Sequence, residues 1–171
     1  KGVLLANGAG KSAAHADAEV LVKRGLFVLS IDARGFGETR QPDERNGSDW
    51  PRFFGQYEPA MTALLSAKTL VGMRALDIVR GVDLLEKHAS EITGLARDAA
   101  TISMLHAALL DTRIRKVGLE GMLLSYESIV NQRVNRGVFE HVIHGVLRYY
   151  DLPDLAQALS PRPLRIANSV D

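Results

Sequence analysis

Short blocks of apolar residues alternate along this chain with longer stretches whose apolar positions recur every three to four residues. The blocks Gly2 to Ala6, Leu26 to Ile31, Ile92 to Leu95, Lys116 to Leu119 and Leu164 to Ala167 are too short for helices and read as strands. Between them the period is helical. Ser12 to Arg24 carries Ala14, Ala18, Leu21 and Val22 on one face, with Ser12 placed to cap the helix. Val71 to Lys87 carries Leu76, Val79, Val82 and Leu85, and the helix ending at Leu110 carries Ile102, Leu105, Ala108 and Leu109. A short helix is expected from Pro59 to Ser66, one or two more within Ser125 to Arg148, and a last one capped by Asp151 and running to Leu159.

Strands alternating with helices imply one parallel sheet with right-handed crossovers, hence an α/β three-layer domain. Gly25 stops the first helix and Ser160-Pro161-Arg162-Pro163 breaks the last. No repeat, low-complexity stretch or linker divides the chain, so residues 1–171 read as one domain. Ligands of open parallel sheets sit beyond the strand carboxyl ends. That singles out Asn7 to Ser12, Leu95 to Ala99 and Asn168 to Asp171. The segment Arg34 to Tyr57 reads as a long loop. Its aromatics Trp50, Phe53, Phe54 and Tyr57 either line a sugar site or pack the loop onto the body.

Composition narrows the function classes. The formal net charge of +1, with 46% hydrophobic and 24% charged residues, gives no electrostatic case for nucleic acid or an anionic membrane. There is no cysteine, so disulfides, thiol nucleophiles and thiolate metal sites are excluded. No apolar run approaches the roughly 18 residues of a membrane span. The expectation is a soluble protein; export stays open, because the chain does not begin with Met and a signal ahead of Lys1 would not be seen. No cofactor motif stands out. His141 and His144 are three apart and could share a helical face; a metal site would still need a third ligand such as Glu140, and a solvated helix face is the ordinary explanation, so no metal is expected. Gly10-Lys11-Ser12 invites a P-loop reading with Asp32 as a partner acid. Leu5, however, stands where that motif needs Gly.

The most specific stretch is Asp32-Ala33-Arg34-Gly35-Phe36-Gly37-Glu38-Thr39. It resembles the turn after the fourth strand of α/β-hydrolases, where its role is structural. Further along, the helix from Gly72 to Leu85, His106-Ala107-Ala108-Leu109-Leu110-Asp111-Thr112-Arg113-Ile114, Leu124-Ser125-Tyr126, Gly145 to Leu155 and Ser160-Pro161-Arg162-Pro163-Leu164 resemble the acetyl xylan esterase branch of that superfamily. The resemblance implies a sheet order of 2-1-3-4-5 and hydrolysis of a carboxylic ester, with a small ester or acylated saccharide as partner. It also implies a partial domain, without the first strands of the fold and the last strand with its histidine. Oligomeric state is unassigned.

Placed on that pattern, the nucleophile elbow G-x-S-x-G falls on Gly94-Leu95-Ala96-Arg97-Asp98. Ala96 then stands at the nucleophile position and cannot attack anything. Asp98 is either a helix cap or an alternative carboxylate nucleophile. Asn7-Gly8 occupies the oxyanion-side turn, or is simply a tight turn. Asp171 falls at the acid position of the triad, after the strand that follows Pro163. The resulting expectation is an esterase-like domain whose serine reaction is lost. The alternatives are an active hydrolase working through Asp98 and a P-loop-like nucleotide binder.

Overall fold

The computed structural model describes residues 1–41 and 53–170. Five strands form one all-parallel sheet: β1 (Gly2–Asn7), β2 (Phe27–Ile31), β3 (Ile92–Arg97), β4 (Ile114–Glu120) and β5 (Leu164–Ala167). Their order is β2-β1-β3-β4-β5, the order expected. Six α-helices are described: α1 (His15–Lys23), α2 (Tyr57–Leu65), α3 (Leu70–Leu85), α4 (Thr101–Leu110), α5 (Tyr126–Asn131) and α6 (Leu152–Ala158).

Side chains alternate across the sheet and so build two cores of unequal size. Leu4 and Ala6 of β1, Ile92 and Ala96 of β3, and Val117 and Leu119 of β4 pack against Ala75, Ile78 and Val82 of α3 and Ile102, Leu105 and Ala108 of α4. The opposite faces of β1 and β3 supply Val3, Leu5 and Leu95 to a small core under α1, with Ala14, Ala18 and Leu21. The periodicity assigned these faces correctly in most places. Val22 and Leu76 are corrections: both are about half exposed, at 57% and 50%. On α3 the buried line runs through Val71, Arg74, Ala75 and Ile78 instead, and it includes an arginine that a purely apolar reading passes over.

Several ends are set by side chains. Thr69 caps α3 by accepting from Gly72 N–H. Asp151 caps two helices at once. It accepts from the Ser125 hydroxyl at 2.5 Å and Tyr126 N–H at 2.6 Å at the start of α5, and from Leu152 N–H at 2.6 Å at the start of α6. Arg162 donates to the carbonyls of Ala108 and Ile114, tying the break before β5 to the end of α4. Ser12 does not cap as expected. Its segment, Lys11–Ala14, is a 3-10 turn led by Gly10 with no side-chain cap.

The Asp32 to Thr39 turn is built as a clamp. The Asp32 carboxylate accepts from Lys11 N–H at 2.5 Å and Glu38 N–H at 3.1 Å. Gly37, with φ 48°, passes so close that a β-carbon there would overlap the carboxylate. Arg34 forks onto Asp77 of α3, and the Thr39 hydroxyl donates to the carbonyls of Ala33 and Phe36. These bonds hold the exit from β2 against β1 and α3.

Candidate functional site

The carboxyl ends of β1, β3 and β4 converge on one bend. The strand ending there is longer than its apolar run. Ala96 pairs with Ala6 on one side and Leu119 on the other, and Arg97 with Asn7 and Glu120. Sheet pairing therefore carries β3 two residues past the expected end at Leu95. Ala96, expected at the bend, is an interior strand residue, 3% exposed. The chain turns at Asp98, which has φ 51°. This left-handed conformation costs most L residues about 1–2 kcal/mol, and Asp tolerates it better than most.

The small residues that let such a turn pass between strand and helix are Ala96 and Ala100, both buried in the main core. Gly94 has another reason to be glycine. A β-carbon there would lie 2.6 Å from the Met104 sulfur, so its absence admits α4 against the strand. The pattern of small residues flanking position 98 was legible in the sequence, but the glycine at 94 drew the register two residues early.

Asp98 does not cap a helix. The 3-10 turn Asp98–Ala100 and α4 beyond it have no side-chain cap, and the Thr101 hydroxyl donates back to the Asp98 carbonyl at 2.6 Å. The carboxylate is exposed and has no hydrogen-bond or ion-pair partner among the described residues. Its Oδ1 leans over Gly121, just beyond β4, where a β-carbon would lie 2.7 Å away. The N–H groups of Ala99 and Ala100 lie in the first turn, where no intrahelical carbonyl is available to them. Ser103, the nearest serine in sequence, is buried in α4 at 1% exposure.

The Asn7-Gly8-Ala9-Gly10 turn lies directly against this bend. Its amides face inward: Gly8 N–H donates to the Arg97 carbonyl, Gly10 N–H to the Asn7 carbonyl, and Ala9 N–H to the Asn7 side chain at 2.8 Å. The Lys11 ammonium pairs with Glu38 at 2.8 Å. A phosphate would need those amides turned outward and Lys11 extended, so the loop as folded is not a phosphate cradle.

On the α1 side of the sheet the strand ends carry a row of ion pairs. Arg97 binds Asp17 at 2.9 Å and Glu120 at 2.9 Å, and Asn168 donates to Glu120 at 3.1 Å. Beneath them, Leu5, Leu95, Val20 and Gly118 line a cleft of about 520 Å³. Asn7, Ala96 and Arg97 also line that cleft, whereas Asp98 does not. The bend itself is open to solvent.

Other expected groups lie elsewhere. Tyr57 packs edge to face on both Phe54 and Phe139, with the Tyr57 and Phe139 centroids 4.9 Å apart, so these aromatics pack the loop onto the body. His141 and His144 do not share a helical face. Phe139–His141 is a 3-10 turn and Val142 returns to extended backbone, while Glu140 is bound to Arg74. Among the described residues no group of three His, Asp or Glu side chains could hold a metal ion, and no helix is long and apolar enough to cross a membrane. Asp171 and Trp50 lie outside the described residues.

No protein-family model and no curated protein matches the chain. Solved structures do. A Bacteroides fragilis protein assigned as an acetyl xylan esterase superposes with a TM-score of 0.80 at 16% identity, over 98% of this chain and 51% of its own. The glucuronoyl esterase of Solibacter usitatus follows with 0.57 at 16% identity, over 96% and 54%. A cold-adapted esterase from an Arctic intertidal metagenomic library gives 0.53 at 18%, over 96% and 58%. The chain thus has the α/β-hydrolase fold of these esterases and spans about half the length of each.

Proposed function

We propose that the chain is the core of an ester-hydrolase-type domain, of the lineage that deacylates saccharides, in which the serine route is closed. The observation carrying this reading is the bend itself. The side chain held there in the left-handed conformation belongs to Asp98; the one hydroxyl described beside it, that of Thr101, is buried and bonded to the Asp98 carbonyl. An acyl-enzyme route needs a nucleophile that becomes strong on losing a proton to a base. On this reading the domain retains a role in binding a small ester or acylated saccharide. Asn7, Gly8 and the Ala99 amide are the remnant of an oxyanion site, and Asp171 stands at the acid position of the triad.

The test is a hydrolysis assay of p-nitrophenyl acetate and acetylated xylo-oligosaccharide with the parent and the Asp98→Ala and Ala96→Ser variants. The expected result is no turnover above background in any of the three. Parent turnover that disappears in Asp98→Ala would replace this reading with the second one, a working hydrolase whose nucleophile is the Asp98 carboxylate. Nucleotide binding has less support, because the turn's amides and Lys11 already have protein partners.

A further inference from the structure

We propose that the groove between α5 and the segment 142–148 binds a medium-chain aliphatic carboxylate, its hydrocarbon lying in the groove and its anionic head at Arg148. None of the groove's residues belongs to the bend at Asp98.

The groove has two aliphatic walls. Gly145, at φ 71°, turns the chain between two apolar pairs, and the Val146 N–H closes that turn by donating to the Ile143 carbonyl at 3.2 Å. Val142 and Ile143 before the turn and Val146 and Leu147 after it form one wall; Ile129 and Val130 of α5 form the other. The space between them is about 410 Å³. Val146 is buried and Ile129 and Ile143 are half-buried, while Val142, Val130 and Leu147 are exposed, Val130 at 70%. The lining thus runs from a covered recess to an open mouth. Single exposed aliphatics are ordinary, but several that share one concavity mark a place where something binds.

Charge and length select the occupant. No acid lines the groove among the described residues, whereas His144 and Arg148 do, and neither pairs with a carboxylate there. Arg133, just beyond α5, is exposed and equally unpaired among the described residues. Glu140, the acid nearest in sequence to the segment 142–148, is held by Arg74 at 2.9 Å. The complementary ligand is therefore apolar along its length and anionic at one end, and a carboxylate matches the forked donors of a guanidinium. The walls are short. The six residues of α5 span about 9 Å, so a partner helix of ordinary length, about 10–14 residues, would overhang them. A flat membrane surface would touch Val130 and Leu147 and leave the recess at Val146 unfilled. A flexible hydrocarbon chain follows the recess, and the aliphatic walls ask no hydrogen bond of it.

The test is calorimetric titration of the whole protein with hexanoate, octanoate and decanoate, each kept monomeric. One site is expected, with affinity rising about twofold to fourfold per added methylene, the larger figure for a methylene withdrawn fully from water. Val130→Asp, which sets a carboxylate on the open wall, should weaken octanoate at least about tenfold. Arg148→Gln should weaken octanoate about fivefold and leave octan-1-ol unchanged. Both side chains are exposed, and circular dichroism checks that the variants fold. Absence of saturable binding, or an affinity indifferent to chain length, overturns the proposal. Octanoate binding unchanged in Val130→Asp overturns it too, by placing the ligand elsewhere. Binding to phosphatidylglycerol vesicles without binding of the monomeric carboxylates would make the face a membrane-docking surface and overturn it as well.

Discussion

Gly8 and Ala99 touch across the gap between the first strand's turn and the bend after the third. A β-carbon on Gly8 would lie 2.8 Å from the Ala99 nitrogen and 2.9 Å from its β-carbon. Neither neighbour is a flexible side-chain tip; one is backbone and the other is fixed to it. Gly8→Ala must therefore push the Asn7-Gly10 turn away from the bend. Such overpacking costs about 1–3 kcal/mol. Urea unfolding of Gly8→Ala against the parent measures it, and a loss within experimental error would mean the two loops part easily.

Asp98 sits in a conformation that suits glycine better, which makes its stability cost measurable. Asp98→Val should lose about 1–2 kcal/mol, the penalty of a left-handed non-glycine residue, because a β-branched side chain tolerates it least. Asp98→Gly should be no less stable than the parent, since the strain it relieves offsets the roughly 0.5–1 kcal/mol of extra chain entropy lost on folding. Thermal melts of both variants check this. A clear destabilisation by Asp98→Gly would mean that the carboxylate makes a structural contribution.

What could be read from the chain and what could not divides along one physical line. Strand identity follows from local apolar runs, and the strand order is implied by the resemblance that motifs such as Asp32 to Thr39 carry; both match the structure. Where a strand ends depends on its neighbours. Arg97 is polar and exposed, yet it stays in β3 because Asn7 and Glu120 hold it there. No property of Gly94 to Asp98 alone encodes that pairing, and so the bend was expected at Ala96 rather than at Asp98. The same holds for His141 and His144, whose helical spacing gives way to a 3-10 turn once Glu140 is drawn to Arg74.

Arg74 is a fully buried charged side chain, at 0% exposure. Its guanidinium donates to Glu140 at 2.9 Å, to the Arg34 carbonyl at 2.9 Å and to Gln56 at 3.1 Å, and it lies 3.9 Å above the centre of the Phe36 ring. Burial pushes its pKa down, opposed by Glu140. Removing one partner of such a pair leaves the other charge without compensation, at a cost of about 3–5 kcal/mol. Arg74→Ala should lose stability on that scale. Arg74→Met with Glu140→Leu should recover much of it, because the pair is then replaced by apolar volume. A double-mutant cycle by urea unfolding gives the comparison, and purely additive losses would show that the pair is not coupled.

His106 joins α4 to the segment before α6. One ring nitrogen lies 2.8 Å from the Ile102 carbonyl and the other 3.0 Å from the Tyr150 hydroxyl. The neutral ring satisfies both, with Nδ1–H donating to Ile102 and Nε2 accepting from Tyr150. Burial lowers the His106 pKa below its ordinary 6.5, with the Ile102 carbonyl opposing, and burial lowers that of His141 as well. Below pH 6.5 the unfolded chain therefore binds protons that the folded chain refuses. The contribution to stability is complete above 6.5 and is lost as the pH falls from there through the folded pKa values. The carboxylates held low by their partners, Asp111 beside Arg113 among them, begin to lose stability only near and below their ordinary 3.8. Between about pH 7.5 and about pH 5 the urea midpoint should thus fall, with histidine as the cause. His106→Leu should lower the midpoint at neutral pH and flatten the slope, leaving the part due to His141. An unchanged slope in that variant would mean that His106 accepts its proton in the folded state as readily as in the unfolded one.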